Sequence, residues 1–119
     1  MKYSQNIEEL SSVFQLLGIT RTEMRIILKL MEKKEMSARD IERDLDLQQP
    51  YVSIETQKLF KRGWIRERTV RVSSNRGRPQ KFYTIVVSPD TIERELLEKI
   101  KENEEKMTKL KRIISEVNK

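Results

Sequence analysis

Residues 47–87, LQQPYVSIETQKLFKRGWIRERTVRVSSNRGRPQKFYTIVV, switch from one hydrophobic period to another, and that switch limits what the chain can fold into. The opening part places its apolar residues at helical spacing, and the remainder carries two β-prone runs around a polar loop. A helix that runs directly into a hairpin needs a mixed packing. Helical spacing also governs the residues on either side, so the expected class is α+β, mainly α.

The helix starts near Gln48 or Gln49, with Pro50 in the first turn, where its missing N–H costs nothing. With Val52 as the inward reference and about 100° per residue, Thr56 and Leu59 fall within about 40° of it. Pro50, Ile54, Gln57 and Lys61 fall on the opposite side, flanked by Tyr51, Ser53 and Lys58. An outer face of this kind can be ordinary solvated surface. Its amide, hydroxyl and cationic groups are also those that read base edges and phosphates in a major groove. Gly63 stops the helix. Trp64 and Ile65 are expected to close the core rather than to offer a base-stacking platform. The runs around Arg66–Val72 and Phe82–Val87 then make a hairpin with a long tip at residues 73–80. The tip carries Arg76-Gly77-Arg78-Pro79, either a soluble turn or a narrow ridge suited to the minor groove of A·T-rich DNA.

Charge sharpens the choice. Residues 47–87 hold nine cations (Lys58, Lys61, Arg62, Arg66, Arg68, Arg71, Arg76, Arg78, Lys81) against Glu55 and Glu67, a net +7 in a chain of net +6. The rest of the chain therefore sums to −1. Positive charge gathered on one helix and one hairpin is the electrostatic mark of a nucleic-acid reader.

The preceding residues read as three helices. Asn6 with Glu9, Thr20 with Glu23, and Ser37 with Asp40 each have the spacing of a reciprocal N-terminal cap. The expected inward stripes are Ile7, Leu10, Val13, Phe14 and Leu17, then Met24, Ile27, Leu28 and Met31, then Ala38, Ile41 and Leu45. Gly18 ends the first helix. After Ser88-Pro89-Asp90 a last helix runs to about Val117, spanning ~42 Å. Leu96, Ile100, Asn103, Met107, Leu110, Ile114 and Val117 alternate spacings of four and three, a heptad seam with one polar member. Residues 90–119 carry eight basic and eight acidic side chains, so this helix is not a DNA arm. It can pack on its own domain. A two-stranded coiled coil between subunits is the preferred reading, with strand orientation open.

The chain has no Cys and no His. Thiolate and imidazole metal sites and the commonest general base are thereby removed, so no metal, cofactor or catalytic residue is expected. Asp40, Glu42 and Asp44 cluster on a short helix without His, Cys or a Gly-rich phosphate loop nearby, the pattern of solvated charge. No apolar run reaches the ~20 residues that span a bilayer, and MKYSQNIEEL lacks a signal-peptide core, so the expectation is a cytoplasmic, nucleoid-associated protein without a membrane partner.

Gln48-Gln49-Pro50-Tyr51-Val52-Ser53, then Leu59, Arg62-Gly63-Trp64-Ile65, Gly77-Arg78-Pro79, Lys81 and Tyr83, resemble a winged helix-turn-helix transcriptional regulator of the archaeal and bacterial ArsR, MarR and TrmB kind. The similarity covers about residues 20–87. Arg76–Pro79 also resembles the AT-hook core. The resemblance implies a winged helix-turn-helix domain over residues 1–89 with a two-stranded β wing, and a long coiled-coil dimerisation helix over residues 90–119. In such a regulator the fourth helix is the recognition helix and the hairpin is the wing. Gln49, Tyr51, Ser53, Ile54, Gln57, Lys58 and Lys61 are then the major-groove candidates. Arg76 and Arg78 are the minor-groove candidates, and Arg71 and Lys81 the phosphate candidates. The expected partners are double-stranded DNA and a second copy of the chain, and no effector is legible. Where such helices usually carry small or apolar residues after the Val-Ser pair, this one has Glu55 and Thr56. An architectural chromatin-type protein and a winged-helix protein-interaction adaptor are the alternatives.

Overall fold

A computed structural model describes residues 7–71 and 79–119. The expected cap at Asn6 and the wing-tip residues Arg76 and Arg78 lie outside these. The chain consists of two compact units, Met1–Ser88 and Pro89–Lys119.

In the first unit, α1 (Ile7–Leu16), α2 (Arg21–Lys33), β1 (Glu35–Ser37), α3 (Ala38–Leu45), α4 (Gln49–Lys61), β2 (Ile65–Val70) and β3 (Gln80–Ile85) follow in order. Both described capping boxes form. Thr20 Oγ1 accepts from Glu23 N at 3.0 Å while Glu23 Oε1 accepts from Thr20 N at 3.2 Å. Ser37 Oγ accepts from Asp40 N at 3.0 Å while Asp40 Oδ2 accepts from Ser37 N at 3.3 Å. Each box satisfies two backbone donors that a helix start would otherwise leave unpaired. Asp46, left-handed at φ 54°, ends α3, and Leu47 N donates to Glu42 O at 2.9 Å. The chain thus turns from α3 into α4 within Asp46, Leu47 and Gln48.

The inward face of α4 matches the spacing argument: Val52, Thr56 and Leu59 are buried, with Glu55 beside them. They join Phe14, Leu17, Ile19, Met24, Ile26, Ile27, Leu30, Ile41, Leu45, Trp64, Ile65 and Tyr83 in the buried core. Trp64, only 3% exposed, is a core residue and not a stacking platform. Two stripes depart from expectation. In α1 the inward line runs through Ser11 and Phe14, which turns Val13 outward to 43% exposure. In α2, Ile26 and Leu30 are fully buried while Met31 is half-buried, because this helix is covered on more than one side.

The sheet has three antiparallel strands in the order β1-β3-β2, where the sequence reading had two. β2 and β3 pair from Ile65↔Ile85 to Val70↔Gln80, so Gln80 belongs to the strand and not to the tip. β1 pairs through Glu35↔Thr84, Met36↔Tyr83 and Ser37↔Phe82. Three residues are too few to show a two-residue period, and β1 exists because β3 offers it an edge. Lys34, at φ 73°, makes the turn from α2 into β1.

The second unit is one helix, α5 (Pro89–Val117), of 29 residues. The architecture is mostly helical, with a small antiparallel sheet and a long C-terminal helix.

Candidate nucleic-acid interface

The candidate interface centres on α4. Its N-cap, Gln48, makes no side-chain capping bond, and Pro50 occupies the first turn. At the other end Gly63 takes φ 82°, a left-handed conformation that an L side chain rarely adopts. Trp64 N then returns to Leu59 O at 3.3 Å, closing the helix against the core.

Gln49, Tyr51, Ile54, Gln57, Lys58 and Lys61 are exposed, and Ser53 is half-buried. The exposed face therefore contains every predicted groove residue of α4 except Ser53, which sits at its margin. Phe60 of the same helix is 49% exposed as well, and it is absent from the residues selected by spacing. It lies about 80° round from Val52, near the boundary between faces, where spacing alone assigns neither side.

Glu55 and Thr56 are accounted for by their partners. Thr20 Oγ1 donates to Glu55 Oε2 at 3.2 Å, and Lys58 Nζ lies 3.2 Å from the same oxygen. Thr56 Oγ1 donates to Val52 O at 2.6 Å within α4. The buried carboxylate ties the middle of α4 to the N-cap of α2 and remains hydrogen-bonded, as a buried charge must.

The end of α4 is held by a second link to the same cap. Arg62 Nε donates to Glu23 Oε2 at 2.9 Å, and Glu23 is wholly buried. Arg62 also donates to Gly18 O at 3.3 Å and lies 5.6 Å from the Trp64 ring centroid. Midway along the hairpin, Arg68 forms a two-pronged pair with Glu35 at 3.0 and 3.1 Å and lies 4.7 Å over Phe82. Thr84 Oγ1 donates to the same carboxylate at 2.7 Å. Arg68 and then Thr84 hold the Glu35 carboxyl below its ordinary range, and Glu35 in turn raises Arg68. For Asp40, burial pushes the carboxyl up, but the bonds from Ser37 and Arg43 outweigh it and the net shift is downward.

These pairings revise the charge count. Arg62 and Arg68 are neutralised by Glu23 and Glu35, carboxylates from outside residues 47–87. Lys58 lies beside Glu55, and Lys81 is 3.9 Å from Glu67. Among the described residues, Lys61, Arg66 and Arg71 are the cations of the segment without a carboxylate within ion-pair distance. Ion-pair partners distant in sequence leave no periodic trace, so the count of nine cations could not discount them.

A groove of about 360 Å³ lies between α3, the start of α4 and the start of β3. It brings the predicted residues Gln49, Ser53 and Lys81 together and adds Arg39 and Glu42 from α3, which the sequence reading did not select. Their juxtaposition depends on how α3 crosses α4, which no single-helix pattern reports. Among the described residues no group of three or more potential ligands could hold a metal ion, and no helix is long and apolar enough to cross a membrane.

The fold agrees with that of solved transcriptional regulators. A possible transcriptional regulator from Methanosarcina mazei Go1 matches with a TM-score of 0.69 at 13% identity, over 84% of this chain and 83% of that one. A transcriptional regulator homologue from Pyrococcus horikoshii OT3 matches at 0.54 and 16% identity, over 90% and 98%. Reduced AbfR bound to DNA matches at 0.56 and 19% identity, over 98% and 88%. No curated protein matches the sequence. The model of the sugar-specific transcriptional regulator TrmB family matches residues 14–88, which contain the helix-turn-helix, all three strands and every candidate DNA contact. The chain belongs to the TrmB family of transcriptional regulators and has the winged helix-turn-helix fold.

Proposed function

We propose that the protein is a homodimeric regulator that binds specific double-stranded DNA sites, with α4 as the major-groove probe. The observation that carries this reading is the split of α4 into two faces. Val52, Thr56 and Leu59 anchor it, while Gln49, Tyr51, Ile54, Gln57 and Lys61 stand in solvent. Amides pair with adenine edges, Ile54 suits a thymine methyl, and Lys61 suits guanine or phosphate. Lys58 adds a cation that Glu55 orients, and Ser53 a hydroxyl at the groove margin. Arg71, which follows β2, and Lys81 near the start of β3 lie at the tip end of the paired strands and are the phosphate candidates. Arg76 and Arg78 enter the adjacent minor groove on the strength of the sequence alone. AbfR, of the same fold, is a protein whose structure contains DNA. Two copies about a two-fold axis read half-sites about one helical turn, ~34 Å, apart, and so favour a pseudo-palindromic site.

A second reading has its own support. Tyr51 and Ile54 are 57% and 55% exposed and lie about 60° apart on one helix, an apolar pair that also suits a protein partner. Titration with duplex DNA at two salt concentrations separates the two. A phosphate-binding surface loses affinity steeply as salt rises, whereas no binding at low salt supports an adaptor. Footprinting then distinguishes a regulator, which protects a defined promoter segment, from an architectural protein, which covers DNA uniformly. Arg78→Ala is expected to weaken binding most on A·T-flanked sites, and equal loss on all flanks leaves it only a phosphate role.

A further inference from the structure

We infer that two copies of α5 pair antiparallel, in one register, with the two-fold axis between Thr108 and Lys109. The inference rests on the dimer proposed above and adds the orientation and register that the heptad leaves open.

The seam is bare where pairing is needed. Met107, Leu110, Ile114 and Val117 are 57%, 56%, 51% and 77% exposed, and Ile113 beside them is 46% exposed. Placing Met107, Ile100 and Ile114 at a, and Leu96, Asn103, Leu110 and Val117 at d, puts Glu104 and Lys111 at e, and Lys99 and Lys106 at g. Glu104 and Lys111 are exposed, and neither has an ion-pair partner in its own chain among the described residues. The flanking charges then discriminate among the pairings, because e and g side chains set partner orientation.

With the axis between Thr108 and Lys109, Met107 meets Leu110 of the second copy, Asn103 meets Ile114, and Ile100 meets Val117, each twice by symmetry. In an antiparallel pair e faces e and g faces g. Glu104 therefore meets Lys111 of the second copy on both sides, and Lys106 meets Ile113, whose side chain its aliphatic stem can cover. No like charges meet. Moving the axis one step towards the N-terminus, to Glu105, sets Glu104 against Glu104 and Lys106 against Lys106. The next step, between Lys101 and Glu102, sets Lys99 against Lys106 twice. Moving it the other way, to Arg112, sets Lys111 against Lys111. A parallel pair stacks Asn103 on Asn103 and joins Lys99 to Glu104, but it opposes Lys106 to Lys111 twice. Only the proposed register joins opposite charges without opposing like ones. It also separates the two α5 N-termini by about 58 Å along the axis, whereas a parallel pair leaves them one interhelical distance, ~10 Å, apart.

Lys111→Glu tests the register. It has no charged neighbour three or four positions away on its own helix, so its effect reports on the second copy. Sedimentation equilibrium of the full chain is expected to show a dimer weakened about tenfold by Lys111→Glu, with Glu104→Lys/Lys111→Glu restoring it. A parallel pair gives the reverse, since Lys111→Glu then meets Lys106, and a dimer tightened or unchanged by it overturns the register. The cysteine-free chain allows a second measurement. On oxidation, a mixture of Asn103→Cys and Ile114→Cys chains should cross-link as heterodimers and neither variant alone, because like positions stand about 16 Å apart along the axis, beyond disulfide reach. Cross-linking of Asn103→Cys alone overturns the antiparallel arrangement while leaving the dimer intact. A monomeric wild type overturns the dimer and the register together.

Discussion

Arg62→Met should destabilise the winged domain far more than Glu23→Gln does, although the two remove the same ion pair. Glu23 has no exposed surface, while the Arg62 side chain retains 27% exposure. Removing Arg62 leaves a fully buried carboxylate with the Thr20 N–H, at 3.2 Å, as its remaining donor. Breaking a buried pair in this way costs about 3 kcal/mol or more, because the surviving charge is uncompensated. Glu23→Gln leaves the surviving charge on Arg62, which still donates to Gly18 O, lies against Trp64 and reaches solvent. The glutamine oxygen can keep the capping bond, so this change should cost about 1 kcal/mol. Glu23→Gln/Arg62→Met should recover much of the loss seen with Arg62→Met alone. The assay is urea unfolding followed by circular dichroism, at one protein concentration because the proposed dimerisation would make stability concentration-dependent. Equal losses for the two single variants, or a loss below about 1 kcal/mol for Arg62→Met, would refute the argument that burial of Glu23 sets the size of the effect.

Gly63→Ala should destabilise by about 1 kcal/mol at unchanged fold, because φ 82° rather than crowding is the obstacle: nothing lies within 4 Å of an added Cβ. Its midpoint in the same urea titration checks this. Lys61→Ala should lower DNA affinity for all sequences and reduce the slope of log affinity against log salt by about one, if Lys61 meets a phosphate. Loss confined to one base position would instead assign Lys61 to base reading. Glu35 carries the pH prediction. Its carboxyl lies lower in the folded protein than in the unfolded chain, so its stabilising contribution is complete above the ordinary glutamate value of about 4.3 and is lost as pH falls through the folded value. Glu35→Gln should therefore flatten the acid side of the stability profile and leave the difference between pH 7 and pH 8 unchanged.

Much of the local structure was legible because it is set by neighbours in the chain. The boxes at Thr20–Glu23 and Ser37–Asp40 form, α4 starts at Gln49 as its spacing predicts, and its inward residues are those a 3.6-residue repeat selects. The last helix runs from Pro89 to Val117 along the predicted seam. These features depend on short-range hydrogen bonds and on one helical period, both of which are written in consecutive residues. What tertiary structure alone decided are the encounters between distant residues. β1 exists only because β3 pairs with it, Arg62 and Arg68 are claimed by Glu23 and Glu35, and the buried Glu55 accepts from Thr20, 35 residues away. A cation's sign can be read from its codon, but whether it remains available to a phosphate depends on which carboxylate the fold brings within about 3 Å, where the Coulomb attraction is strongest.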